Sequence, residues 1–335
     1  MVKKMAGAVS HSIKGDQVEV RVDVIRERNI QAVVKIWNES FPDLPLHPQT
    51  FKNQLFREFK LNPTGYLVAR NNSHVVGFAL ATTTQIPYTS RTTEFPGCIP
   101  AIAVAKKARR KGIGTQLLKR AEEYLIQEGT KKIRIGYPTY LRGTILSLIG
   151  VDTQWTGAIR FLENFGYAPK SVFDSMILNL ADWKLSTEVV SKIRPNQNSI
   201  RFGPLSRKET AEFIRFMRKK FSGSWYDQFN YLYRMGLLKP KEVLVMKERG
   251  KISGFAGPFH ITENGDTCGI GLGIANRLRG KGLGLYLLYN IIQMVKEKKV
   301  GRITLFGAVD KINYYGQAGF LPGSVWLTME KDIKK

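Results

Sequence analysis

The chain repeats itself at long range. ARRKGIGTQLLKRAEEYL (108–125) and LRGKGLGLYLLYNIIQMV (278–295) align with one offset, 282 − 112 = 170 residues. The same shift carries Cys98 onto Cys268, Ala105 onto Ala275, and Lys111, Leu117 and Leu118 onto Lys281, Leu287 and Leu288. Upstream, VGFA (76–79) has a partner in SGFA (253–256); downstream, FGY (165–167) parallels AGF (318–320). Solenoid repeats run about 20–50 residues, so a repeat of this length means two duplicated domains. A chain of 335 residues has room for both, at roughly 100–200 residues per domain.

Each copy reads in the same order. In the first, RVDVIRE (21–27) predicts a strand leading into the helix NIQAVVKIWNESF, and GYLVARNNSHVVGFALATT (65–83) a hairpin turning at Asn71–Asn72–Ser73. CIPAIAV (98–104) is a third strand ending at the glycine stretch. The next helix carries Leu117, Leu118, Ala121, Tyr124 and Leu125 on one face, and Gly129 stops it. KKIRIGY (131–137), the short helix GAIRFLENF (157–165) and SVFDSMILNL (171–180) complete the copy. The second runs through SIRFGPL (199–205), the hairpin EVLVMKERGKISGFAGPF, CGIGLGI, its own helix and RITLFGAV. The expected organisation is a loose N-terminus (1–17), an N-terminal domain (18–180), a linker helix and loop (181–198) and a C-terminal domain (199–335). The expected fold class is α/β, an α+β mixed sheet with helices on both faces, twice over.

Composition excludes several classes. Apolar residues make up 43% and charged residues 24%, an ordinary globular balance. No apolar run approaches the roughly 18 residues of a membrane span, and the N-terminal MVKKMAGAVSHSIKGDQ lacks the apolar stretch of a secretory signal. These features lead us to expect a cytoplasmic protein with no membrane partner. Cys98 and Cys268 cannot build a disulfide framework, and the four histidines show no ligand spacing, so no metal site is expected. The net charge of +25 suits attraction of phosphorylated ligands. Nucleic acid is a possible partner on charge alone, but no RNA- or DNA-reading motif accompanies it.

The glycines carry the chemistry. A helix N-terminus presents unpaired N–H groups and about half a positive charge, so it attracts phosphate. Glycine there lets backbone approach a ligand closely and tolerates φ > 0, and flanking cations add charge-assisted bonds. Strand, then Arg109-x-x-Gly112-x-Gly114 or Arg279-x-x-Gly282-x-Gly284, then helix makes a pyrophosphate cradle. Neither copy has the G-x-x-x-x-G-K-[ST] of a P-loop. Leu117 and Leu287 stand where a dinucleotide fold wants its third glycine.

R-x-x-G-x-G after a strand, followed by a G-[FY] element, resembles the GNAT superfamily of acyl-CoA-dependent N-acyltransferases, and IGVDTQWTGAIRFLENFGY (149–167) resembles a bacterial tandem-domain group within it. The resemblance spans residues 20–335 and implies acetyl-CoA as the acyl donor. It implies that the third strands, Ile102, Ala103 and Val104 in one copy and Leu272, Gly273 and Ile274 in the other, pair with the pantetheine arm. It implies that Arg109, Arg110, Lys111, Gly112, Ile113 and Gly114, and likewise Arg279, Gly280, Lys281, Gly282, Leu283 and Gly284, hold the pyrophosphate.

Acyl transfer to an amine needs a neutral nucleophile, a donor to the developing oxyanion and a proton for the departing thiolate. In the superfamily that proton comes from a tyrosine in Y-x-x-x-G-[FY], which here is Tyr315-Gly-Gln-Ala-Gly319-Phe320. Copy one has Leu162 instead, so the C-terminal copy is the expected catalyst, acting on a small-molecule or peptide amine. His260, Glu263 and Asp266 are the candidate bases there, with Glu94 and Asp152 their counterparts in copy one; water acting alone is the alternative. WYDQFNYLYRMGLL (225–238) supplies aromatics for a core or for an acceptor cleft.

Overall fold

The computed structural model describes residues 20–53, 63–83, 97–136, 148–184, 199–221, 224–234, 236, 238–261, 265–268, 270–306 and 311–333. The expected N-terminal tail and most of the linker lie outside these residues. Copy one contains β1 (Val20–Val24), α1 (Ile30–Ser40), α2 (Pro48–Asn53), β2 (Tyr66–Asn71), β3 (His74–Thr82), β4 (Gly97–Val104), α3 (Ile113–Gln127), β5 (Lys132–Ile135), β6 (Val151–Asp152), α4 (Thr156–Glu163) and β7 (Ala168–Asn179). Copy two contains β8 (Ile200–Pro204), α5 (Thr210–Lys220), α6 (Ser224–Arg234), β9 (Leu244–Glu248), β10 (Lys251–Ala256), β11 (His260–Ile261), β12 (Thr267–Cys268), β13 (Leu272–Ile274), α7 (Leu283–Lys296), β14 (Arg302–Phe306), α8 (Ile312–Gly316) and β15 (Leu321–Asp332).

Strand alternation sorts each copy into two layers. In β3, Phe78 and Leu80 face α1, packing with Val33 and Trp37, whereas Ala79 and Ala81 face α3, packing with Leu117 and Leu118. Copy two repeats this arrangement. Phe255 packs with Phe213 and Phe229 of α5 and α6, while Ala256 packs with Leu287 and Ile291 of α7. This is the period-two consequence of a sheet covered on both faces.

The copies do not complete their sheets alone. The larger sheet runs β1-β2-β3-β4-β5-β15-β7-β14-β12-β11, so the last strand of each copy lies in the sheet of the other. β15 pairs antiparallel with β5, Met329 opposite Ile135 and Asp332 opposite Lys132. β7 pairs in the same sense with β14, Arg302 opposite Asn179 and Phe306 opposite Ser175. β7 and β15 also pair with each other. From the short helices onward the repeat offset is 319 − 166 = 153 residues, and that shift carries Phe173 onto Trp326, which face each other across the ladder. A pseudo-twofold axis therefore passes between these two rings.

Packing follows the exchange. Met329, from the C-terminal strand, is fully buried in the core beneath α3, and Met176 and Leu178, from copy one, are buried in the core beneath α7. Each such side chain contributes about 1.5–3 kcal/mol of burial. A polar lock accompanies the exchange on one side only. Lys331 Nζ donates to both carboxylate oxygens of Glu122 in α3, at 2.9 and 3.1 Å, and the Tyr167 hydroxyl donates to the same carboxylate at 2.8 Å. The repeat relation places Leu178, Ile292 and Phe320 at the matching positions of copy two, all buried.

Two outcomes follow from this exchange. Expressed separately, residues 1–198 and 199–335 each lack a central strand and are expected to be unfolded or aggregated by circular dichroism and size exclusion, whereas co-expression restores a folded complex. Glu122→Ala strands Lys331 and Tyr167 and lowers the urea-unfolding free energy by about 2 kcal/mol. The triple replacement by the residues of copy two (Glu122→Ile, Tyr167→Phe, Lys331→Leu) restores stability to within about 1 kcal/mol.

Candidate acyl-donor groove and acceptor wall

Each third strand parts from its neighbour midway. β4 pairs in parallel with β5 only over Gly97–Ile99, then continues along β3 to Val104. In copy two the split is complete: β12 stays with β14 in the large sheet, while β13 forms the edge of a separate four-stranded sheet, β13-β10-β9-β8. An open strand edge is a row of unpaired N–H and C=O groups waiting for another strand.

The ladder determines which groups face that edge. Ala275 N–H donates to Ser253 O at 2.9 Å and Gly257 N–H to Gly271 O at 2.7 Å, with Phe255 opposite Gly273 between them. Hydrogen-bonded pairs alternate in an antiparallel ladder, so Gly273 is spent on β10, and Leu272 and Ile274 turn their backbone groups outward. In copy one Ala105 N–H donates to Val76 O at 2.9 Å. The same alternation there turns Ile102 and Val104 outward and Ala103 inward. Of each expected strand triplet, the outer two residues are available and the middle one is not.

The glycine stretches cap the helices as expected. Gly112 (φ +76°) and Gly282 (φ +72°) are the left-handed N-caps of α3 and α7, and neither helix has a side-chain cap or an acidic residue in its first turn. Side-chain caps normally satisfy such N–H groups; their absence leaves both mouths open to an anion. Arg110, Lys111 and Lys281 stand exposed beside them. Arg110 adopts φ +63° at the position where copy two has Gly280, at φ +74°.

The leading arginines do something that sequence did not reveal. Arg109 Nε donates to Val104 O at 2.9 Å and Arg279 Nε to Ile274 O at 3.4 Å, tying the cradle to the strand end. These guanidinium groups hold the loop in shape, and each occupies one outward carbonyl of the open edge.

Residues 30–139 and 210–320 match the sequence model of the Acetyltransferase (GNAT) family. The chain belongs to that family, twice over. No curated protein matches the sequence. Among solved structures, the glucosamine N-acetyltransferase region of a fungal multi-domain GH3 β-N-acetylglucosaminidase aligns with a TM-score of 0.73 at 20% identity, over 96% of this chain and 39% of that one. A GCN5-related N-acetyltransferase from Sphaerobacter thermophilus gives 0.68 at 15% identity, covering 94% of this chain and 96% of that chain. A tandem GNAT protein from the clavulanic acid biosynthesis pathway gives 0.66 at 14% identity, covering 95% and 99%. At such identities the likeness is one of fold.

Within this tandem GNAT architecture the two tyrosines of α8 take different positions. Tyr315 packs edge-on against Phe320, ring centroids 5.8 Å apart, beside the core. Tyr314 packs against the same core and also reaches the mouth of α7: a Cβ on Gly284 would stand 2.9 Å from its hydroxyl. That hydroxyl is buried without a hydrogen-bond partner, and burial, with the neighbouring Tyr315, pushes its ionisation upward. The counterparts in copy one are Phe161, whose ring tip lies 3.7 Å from a Cβ position on Gly114, and Leu162, buried in the core.

The candidate bases have varied placements. His260 lies in the edge strand β11, its backbone paired with Cys268. Glu263 and Glu94 lie outside the described residues. Asp266 is bound by Arg302, Nη2 to Oδ2 2.8 Å. Asp152 accepts the Gln154 N–H at 2.8 Å and shapes the turn into α4. On the other face of β13, Phe221 and Trp225 form an aromatic wall, each ring within 2.6 Å of a Cβ position on Gly273 or Gly271. Of the stretch after FSGS, Phe229 and Leu232 are core, and Trp225 is 39% exposed beside the strand.

Copy one differs at the same place. It carries 170 − 153 = 17 more residues between its strand and its short helix, and Leu148 N–H from this addition donates to Pro100 O at 2.9 Å. Its own backbone thus occupies the next outward group of β4. Gly136 belongs to the same junction: it donates to Ile99 O at 3.0 Å with φ +89°.

These two glycines separate by substitution. At Gly112 a Cβ meets nothing within 4 Å, so Gly112→Ala is expected to cost only the left-handed backbone term, about 1 kcal/mol. At Gly136 a Cβ would lie 2.4 Å from the Ile149 carbonyl oxygen, and Gly136→Ala is expected to cost about 3 kcal/mol in denaturant unfolding.

Proposed function

We propose that the protein is an acetyl-CoA-dependent N-acetyltransferase that acetylates a primary amine, on a small molecule or a peptide, and that its C-terminal copy is the catalyst. The observation carrying this reading is the conjunction, in that copy, of an open strand edge, an uncapped glycine helix mouth and an unpartnered tyrosine hydroxyl between them. Backbone groups of Leu272 and the N–H of Ile274 would pair with the pantetheine arm as an added strand. First-turn N–H groups of α7, with Lys281, would hold the pyrophosphate. Family membership supports acyl transfer, and the residues present suit coenzyme A chemistry.

In the reaction the amine nitrogen attacks the thioester carbonyl carbon, and coenzyme A leaves as its thiol. A tyrosine of α8 protonates the sulfur; Tyr315 is the one that the family spacing nominates. His260 or Glu263, or water alone, takes the proton from the amine. The wall of Phe221 and Trp225 lines the approach of the acceptor. Copy one lacks a hydroxyl at both tyrosine positions and covers Pro100 with Leu148, so it binds the donor without transferring from it. No helix among the described residues is long and apolar enough to cross a membrane; a cytoplasmic location is part of this proposal.

Acetyl-CoA is expected to raise the thermal midpoint, and native mass spectrometry is expected to count two donors per chain. Gly282→Asp sets a carboxylate in the C-terminal mouth and is expected to abolish amine-dependent coenzyme A release. Gly112→Asp is expected to remove one bound donor and leave release within about twofold of wild type. Release that survives Gly282→Asp but not Gly112→Asp would move the catalyst to copy one. Wild-type protein that binds no acetyl-CoA would end the acyltransferase reading.

A further inference from the structure

We propose that copy one carries a recognition site for a protonated primary amine, with Asp152 as its anion and Trp155, Trp326 and Phe41 as its walls. The site needs no acyl donor, so it stands apart from the acyltransferase reading. Asp152 in β6 is 7% exposed and Glu122 in α3 is 9% exposed; these are the two buried acidic residues among the described residues. Glu122 is satisfied by Lys331 and Tyr167. Asp152 accepts one backbone N–H, from Gln154, and among the described residues no cation pairs with it. Lysines and arginines outnumber acidic residues 52 to 27 in the chain, so a counter-charge was plentiful and was not spent here. A buried carboxylate is costly unless it is paired, and a ligand cation removes that cost.

The surroundings suit an organic cation. Asp152 stands opposite Trp326 in the β6–β15 ladder, and Trp326 opposite Phe173 in the β7–β15 ladder. Directly opposed residues share a face of the sheet, so carboxylate, indole and phenyl ring form one row across three strands. The Trp155 N–H donates to the Asp152 carbonyl at 2.9 Å, and the Trp155 ring meets Trp326 edge-on and Phe41 at a tilt, both at 5.5 Å between centroids. Aromatic faces attract an ammonium, the more so where water is excluded. Trp326 Nε1 is itself buried without a partner, and such groups are rare in folded proteins. An anion and an N–H donor side by side match an ammonium that has a hydroxyl or carbonyl oxygen near it. Trp155 is only half-buried, which leaves the site open on that side. Its walls come from both copies, since Trp326 belongs to the exchanged strand.

This chemistry selects an amine against its amide. A primary ammonium brings a full charge and three donors to the carboxylate, whereas acetylation removes the charge and leaves a single N–H. The site therefore holds the unacetylated form and rejects the acetylated one, and it makes no bond itself. The turn into α4 accounts for only part of Asp152. An asparagine would accept the Gln154 N–H equally well, so the charge and the second oxygen are surplus to the turn.

The test uses the full chain without acetyl-CoA, labelled with fluorotryptophan, and benzylamine at neutral pH as the probe. Trp155→Phe, Trp225→Phe and Trp326→Phe assign three of the five fluorine resonances. Benzylamine is expected to shift the Trp155 and Trp326 resonances saturably, and benzyl alcohol and N-benzylacetamide to bind at least about tenfold more weakly. Asp152→Asn keeps the acceptor for Gln154 and is expected to fold as wild type by circular dichroism while binding benzylamine at least about tenfold more weakly. Should that variant fail to fold, the three probes on wild-type protein decide alone. No shift with benzylamine, a shift confined to Trp225, equal binding of benzyl alcohol, or undiminished affinity in folded Asp152→Asn would overturn the proposal and leave the acyltransferase reading intact. Failure of the wild-type chain to take up acetyl-CoA would overturn that reading and leave this one standing.

Discussion

The β7–β15 ladder is the contact on which the rest of the molecule depends. Two strands, each the last of its copy, pair around a pseudo-dyad at Phe173 and Trp326, and each fills the gap in the other copy's sheet. A strand in that place satisfies backbone groups on both its edges and buries apolar side chains that the partner copy cannot supply. Met329 under α3 and Met176 under α7 show this directly. Stability is thereby shared, and an opening of one half exposes the core of the other.

The same exchange leaves the candidate donor grooves open. β15 and β7 take up the far edges of β5 and β14, on the side away from the third strands. Nothing in the ladder then closes the splay between β4 and β5, or between β13 and the large sheet. The groove is thus a product of sheet topology, and the glycine cradle is the mouth at its end. Charge plays a supporting part. Of the cations at the cradles, Arg109 and Arg279 are drawn back onto strand carbonyls, and Arg277 is paired with Glu248. Arg110, Lys111 and Lys281 remain exposed at the mouths.

Duplication has let the two copies diverge without loss of frame. Copy one has 17 additional residues between β5 and α4 and covers its strand end at Pro100 with Leu148, keeps a phenylalanine where copy two has Tyr314, and locks its helix with Glu122, Lys331 and Tyr167 where copy two uses hydrocarbon. A buried carboxylate held by two donors and a cluster of aliphatic side chains are alternative solutions to one packing problem.

Local pattern determined a good deal by itself. The repeat, the element order, the strand-to-helix glycine cradles and the amphipathic stripe of α3 all follow from residue spacing, since periods of two and 3.6 and the freedom of glycine at φ > 0 act over a few residues. Which of Tyr314 and Tyr315 reaches the mouth of α7 was not legible: adjacent residues on a short helix differ by about 100° in direction, and only the packing against Phe320 and α7 decides it. Nor could spacing reveal the exchanged strands or the Glu122–Lys331 pair. Those contacts join residues some 200 positions apart, and no local preference distinguishes a strand that returns to its own sheet from one that completes its neighbour's. Tertiary structure made that choice, through the burial available on each edge.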